Sequence, residues 1–127
     1  MMKLVVNSMV VTMSQGMAEA LALGRKAGLE WEVMLDTLAN STIASPWLKA
    51  KVELMRPRDF RPTMTARLIL KDMDLMLAAA RLHEVPMPLT ALTRQMVQAL
   101  VGEGLGEEDY MALIKLAEKQ AGIALDD

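Results

Sequence analysis

The chain has no cysteine among its 127 residues. That absence excludes disulfides and thiolate metal sites. It also suits a reducing cytoplasm, where we expect the protein to work. Histidine occurs once, as His83, and one imidazole with no thiol argues against zinc. Aromatic residues are scarce at 3%, and the formal net charge is −2. Neither a stacking platform nor a basic surface for nucleic acid is therefore expected. Long hydrophobic runs are missing as well. Asn7, Ser8, Thr12, Ser14, Gln15 and Glu19 break the apolar N-terminal stretch before the roughly 18 residues that a membrane span requires. There is no repeat, low-complexity block or flexible linker.

What is present is 53% hydrophobic residues with 13 methionines. A core of Leu, Met, Ala and Val favours helices over sheets, and the length is that of one domain, residues 1–127. The pattern predicts an all-α architecture of about six helices. The first runs from Met2 to Ala27 and stops at Gly28, with Arg25 and Lys26 in its last turn, where the helix dipole favours cations. A second covers Glu30 to Leu38. Ser45 is the expected N-cap and Pro46 the first residue of a third, ending at Met55. RPRDFRP is a loop held by prolines. A fourth helix is expected from Met64 to Leu82 and a fifth from Leu89 to Val101. GEGLG is then a turn, and Glu107, Glu108 and Asp109 are first-turn acids of a last helix reaching Ala121.

The first helix repays reading by angle, at 100° per residue with Lys3 at zero. Ser8, Thr12, Gln15, Glu19 and Lys26 fall together, between about 120° and 180°, and form the expected solvated face. Asn7 and Ser14 fall beside Lys3, away from it. Lys3 and Asn7 are one turn apart, so both side chains can reach one point. Spacing alone favours the blander reading, a chain-end lysine in water and a capping asparagine.

Five stretches bear on that choice: KLVVN at 3–7, EALALGRKAGLE at 19–30, DFRPTMTARLILKDMDLML at 59–77, VPMPL at 85–89 and GEGLGEEDYMALI at 102–114. In order and spacing they resemble the C-terminal helical domain of the β-hydroxyacid dehydrogenases. That family includes 3-hydroxyisobutyrate dehydrogenase and tartronate semialdehyde reductase and, more distantly, 6-phosphogluconate dehydrogenase. The likeness spans nearly the whole chain. It implies reversible hydride transfer between NAD or NADP and a short 3-hydroxy acid. By the same resemblance Lys3 matches the catalytic lysine, Asn7 the asparagine that holds substrate, and Lys71 a lysine near the nicotinamide cofactor. The chemistry suits these residues: an ammonium can polarise and protonate a carbonyl oxygen, and the amine left behind can take the proton back. The resemblance also implies a homodimer or, as the alternative, a tetramer, with the long first helix at the subunit interface.

The chain departs from the family pattern in places. Thr63 stands where glycine is usual, Met64 where phenylalanine is usual, and Val6 where an asparagine often precedes Asn7. The largest departure is the missing half. The family carries its dinucleotide on an N-terminal Rossmann domain with a G-x-G-x-x-G turn after a strand, and no such motif occurs here. GEGLGEED follows a helix and carries acids that repel a phosphate. The chain is therefore read as one domain of a dehydrogenase, inactive alone. The alternatives are a split enzyme with a separate dinucleotide-binding chain, or a non-enzymatic helical interaction module that keeps the fold.

Other residues have blander readings. His83, at a helix end, is expected to be structural. Asp72, next to Lys71, is expected to pair or be solvated, and with Asp74 is not expected to hold a metal. Trp31 and Trp47 are expected as packing anchors. The methionines are expected in the core or a subunit interface.

Overall fold

Local chemistry writes the helix ends. In the computed structural model, which describes residues 1–124, six α-helices follow one another: α1 Met2–Lys26, α2 Trp31–Ala39, α3 Pro46–Met55, α4 Ala66–Leu82, α5 Pro88–Leu100 and α6 Leu113–Gln120. A widened turn, Val101–Leu105, and a 3-10 turn, Tyr110–Ala112, join α5 to α6. The domain expected over 1–127 ends in three residues outside those described. The described residues contain no strand, only an isolated antiparallel bridge between Thr65 and Asp109.

α1 ends in a Schellman motif. Gly28, at φ 93°, turns its N–H back to the Arg25 carbonyl at 3.0 Å, and the Leu29 N–H reaches the Gly24 carbonyl at 2.9 Å. Only glycine takes that left-handed conformation without strain. α3 begins where Ser45 accepts from the Leu48 N–H at 3.1 Å, with Pro46 in the first turn. α4 begins at Ala66, two residues later than the pattern predicts. Thr65 caps it by accepting from the Leu68 N–H at 3.1 Å. Met64 is drawn out of the helix because its carbonyl accepts from the Tyr110 N–H at 3.2 Å.

The helices bury one shared core. α1 lies against α6, α4 and α5, α4 against α5, and α2 against α3. Val11, Leu35, Val52, Met55, Ile69, Met73, Leu100, Met111 and Ile114 are fully enclosed. The carboxylate of Glu118 is also fully buried, between the Arg25 and Arg58 guanidinium groups. Burial, and then the neighbouring Arg25 charge, push the Arg58 guanidinium below its ordinary value, while the Trp31 ring lies 4.7 Å beneath it. This cluster ties the C-terminal end of α1 to α6 and to the loop after α3.

Three expectations are corrected. The stripe expected to face solvent on α1 does so only at Glu19 and Lys26: Gln15 is buried, and Ser8 and Thr12 are half-buried, their hydroxyls bonded back to helix carbonyls at 2.8 Å. The exposed face, about 200–300° around the helix, carries Met2, Val5, Val6, Met9, Met13, Gly16, Ala20 and Leu23. GEGLG is a left-handed kink at Gly104, φ 87°, within a chain that continues helically from α5. The three acids precede the last helix instead of opening it. Glu107 pairs with Arg67, Glu108 with Lys115, and Asp109 caps the 3-10 turn by accepting from the Met111 N–H at 2.9 Å. Packing decides each case: the angle of a residue tells which neighbours it shares a face with, not which face another helix covers.

Candidate functional site

The polar stripe of α1 becomes a site because of what α4 sets beside it. Asn7 is half-buried and donates from Nδ2 to the Asp72 carboxylate at 3.1 Å. A carboxylate only accepts, so this bond fixes the amide with its NH₂ group toward Asp72. One N–H and the carbonyl oxygen of Asn7 are left for a ligand. Asp72 neither pairs with Lys71 nor stands free in water, as had been expected; it is the group that orients Asn7.

Lys3 lies one turn before Asn7 and is exposed, and so is Lys71. Neither makes an ion pair with a described residue. An exposed ammonium without a carboxylate partner suits an anionic ligand. Lys71 stands on α4 one residue before Asp72, the partner of Asn7. His83, the C-cap of α4, is exposed. It lines a different depression of about 410 Å³, with Met1, Leu4, Val5 and Ser8, round the helix from the Lys3 stripe.

Asn7 and Val10 open onto a pocket of about 320 Å³ between α1, α3 and the loop before α4. Trp47, Lys51, Leu54, Met64, Ile69 and Tyr110 line much of it. Lys51 is buried, and its ammonium donates to Thr63 Oγ1 at 2.8 Å and to the Asp109 carboxylate at 3.1 Å. Asp109 is wholly enclosed and also accepts from the Thr63 N–H at 3.0 Å and hydroxyl at 2.9 Å. The Lys51 ammonium sits 4.3 Å over the Tyr110 ring, a cation–π contact. The Tyr110 hydroxyl accepts from Trp47 Nε1 at 3.0 Å. A buried cation is tolerated only when paired and hydrogen-bonded, and here both conditions are met.

The unusual Thr63 therefore has a purpose. Its hydroxyl accepts from Lys51 and donates to Asp109, linking the two charges in a way glycine cannot. Met64 forms pocket wall. Val6 is 53% exposed on the apolar face and is not part of the pocket wall.

The Lys51–Asp109 pair was not anticipated, yet half of it carries a signal. Leu48, Lys51, Val52 and Met55 are the buried residues of α3, spaced as one apolar stripe. A lysine in such a stripe requires a buried counter-ion. Which acid supplies it, 58 positions away, has no local signature. No group of three or more histidine, cysteine or acidic side chains fit for a metal occurs among the described residues, and no described helix is long and apolar enough to cross a membrane.

The family described as "NAD-binding of NADP-dependent 3-hydroxyisobutyrate dehydrogenase" matches residues 1–117. Among curated relatives, 2-(hydroxymethyl)glutarate dehydrogenase from Eubacterium barkeri is 35% identical over 124 residues, covering 97% of this chain and 41% of that protein. Glyoxylate/succinic semialdehyde reductase 1 from Arabidopsis thaliana is 32% identical, covering 90% of this chain and 39% of its own length. Among solved structures, a 3-hydroxyisobutyrate dehydrogenase from Salmonella typhimurium aligns with a TM-score of 0.84 at 25% identity, covering 91% of this chain and 40% of that one. The chain thus spans about two fifths of the length of these relatives.

Proposed function

The chain belongs to the NAD-binding family of NADP-dependent 3-hydroxyisobutyrate dehydrogenase, and on that premise we propose that it is the helical half of a 3-hydroxy acid dehydrogenase. It supplies Lys3 as acid and base, Asn7 as substrate ligand and Lys71 as a cofactor contact. The observation that carries this reading is Asn7, one turn from Lys3, oriented by Asp72 at the edge of a pocket.

NAD or NADP, when bound, supplies the hydride acceptor for oxidation and the donor for reduction. The chain's own residues do the rest. In oxidation Lys3, as general base, takes the proton from the substrate hydroxyl as hydride leaves the same carbon, and a carbonyl results. In reduction the Lys3 ammonium polarises the carbonyl oxygen and returns that proton. The free N–H of Asn7 donates to the substrate, and its carbonyl accepts from the hydroxyl or from Lys3. A site built this way needs a dinucleotide-binding domain to close it, so this helical domain alone gives no turnover. We place the activity in the cytoplasm.

The test uses the protein expressed from its complete gene. Nicotinamide absorbance is followed with short 3-hydroxy acids, wild type beside Lys3→Ala. Loss of roughly 10²–10⁴ in rate with cofactor binding retained is the expected result. Normal turnover in the variant removes Lys3 from the chemistry.

The bare apolar face of α1 favours a further role in assembly, and we propose a homodimer formed through it. Without any dehydrogenase activity, that face would leave the second reading, a helical interaction module.

A further inference from the structure

We propose that the pocket beside Asn7 receives the C2 substituent of the substrate, and that this substituent is an uncharged alkyl chain longer than methyl. The proposal rests on the dehydrogenase reading and narrows its substrate class.

Position comes first. Lys3, Asn7, Val10 and Ser14 share one stripe of α1, and Lys3 stands roughly 10 Å along the axis from Val10. A hydroxy acid held by Lys3 and Asn7 has its next free direction along that stripe. There Val10 follows Asn7 and forms pocket wall.

Size comes second. A pocket of about 320 Å³ exceeds what a methyl group fills. Leu54, Met64 and Ile69 face it, with the Trp47 and Tyr110 rings. Each methylene placed there leaves water for carbon.

Charge comes third and excludes the main competitor, a second carboxylate. Lys51 is the cation in the pocket, and both Asp109 oxygens already hold it, at 3.1 and 3.3 Å. A distal carboxylate would have to displace a fully buried one. A hydroxyl-bearing tail is poorly served, because Thr63 and Trp47 spend their donors on Asp109 and on Tyr110, and of these three only the Tyr110 hydroxyl proton stays uncommitted. A polar group desolvated without a partner is costly.

The experiment takes the protein from its complete gene, with NAD or NADP, and 3-hydroxypropanoates bearing hydrogen, methyl, ethyl, propyl or butyl at C2. The 2-carboxyethyl and 2-hydroxy acids are the charged and polar controls. Expected is a rise in kcat/KM of roughly fourfold per methylene through propyl, with both controls at least about tenfold below propyl. Ala50→Phe, which narrows the pocket from α3, lowers the ratio of butyl to methyl. Turnover that is best with hydrogen, methyl or either control overturns the alkyl assignment and leaves the dehydrogenase reading standing. No turnover with any acid defeats the dehydrogenase reading instead. Emission from Trp47, isolated by Trp31→Phe, then decides the pocket. Tightening with alkyl length retains it, and unchanged emission rejects it.

Discussion

Residues 2–13 and 14–26 of α1 belong to one unbroken helix and meet opposite fates. The first half buries a single side chain, Val11, whereas the second buries Ser14, Gln15, Met17, Ala18, Leu21, Ala22 and Gly24. Yet the first half is the more apolar. Met2, Val5, Val6 and Met9 are each more than half exposed, while two polar residues of the second half are enclosed. Composition along a helix thus does not report what covers it. The second half is core, locked by Arg25 on Glu118. The first half extends past the core as a double-sided arm: the Lys3–Asn7 stripe toward α4 and the pocket, and a continuous apolar face toward solvent. A monomer rarely leaves such a patch bare.

The contrast can be broken most forcefully at the locked end. Glu118→Gln removes the buried carboxylate and leaves two guanidinium groups facing a neutral amide. A loss of about 3–5 kcal/mol is expected, read from urea unfolding. A loss under about 1 kcal/mol would show that the cluster does not hold the second half down. Next comes a matched pair of truncations. Leu21→Ala, at a site 2% exposed, is expected to cost about 2–3 kcal/mol. Val6→Ala, on the arm, is expected to stay within about 0.5 kcal/mol. Equal costs by thermal unfolding would mean that the arm is as much a part of the folded core as the rest. The smallest effect on stability, and the sharpest on assembly, is expected from Met9→Lys. Its charge lands in the middle of the exposed apolar face, so light scattering should show a dimer turned into a monomer with its unfolding midpoint nearly unchanged. A dimer that survives the substitution places the interface elsewhere.

The helices themselves were legible in the sequence. Gly28 and Ser45–Pro46 marked their ends by backbone chemistry that acts within four residues, and the structure agrees to within a residue there. Thr65 was less legible as a cap, because the bend before it is held by bonds to 109 and 110. At the site, Lys3 and Asn7 stood out as polar residues on an apolar helix, and their joint reach follows from the 3.6-residue turn. Asp72 was noticed and misread, since its partner lies 65 positions away. Lys51 lies in the apolar stripe of α3, a position that demands a counter-ion, but the acid that answers it has no local signature. Gln15 was assigned to solvent because its stripe was polar, and the packing of α1 buried it nonetheless.

What the sequence determined by itself was therefore local: which segments are helical, where they stop, and which residues share a face. Those properties depend on backbone sterics, capping and a fixed turn angle, all acting within a few residues. The tertiary structure alone decided which face is covered, which acid answers Lys51, and that Asn7 is aimed by Asp72 into a pocket. Burial and charge pairing are relations between segments far apart in the chain, and they take definite values only once the helices have packed.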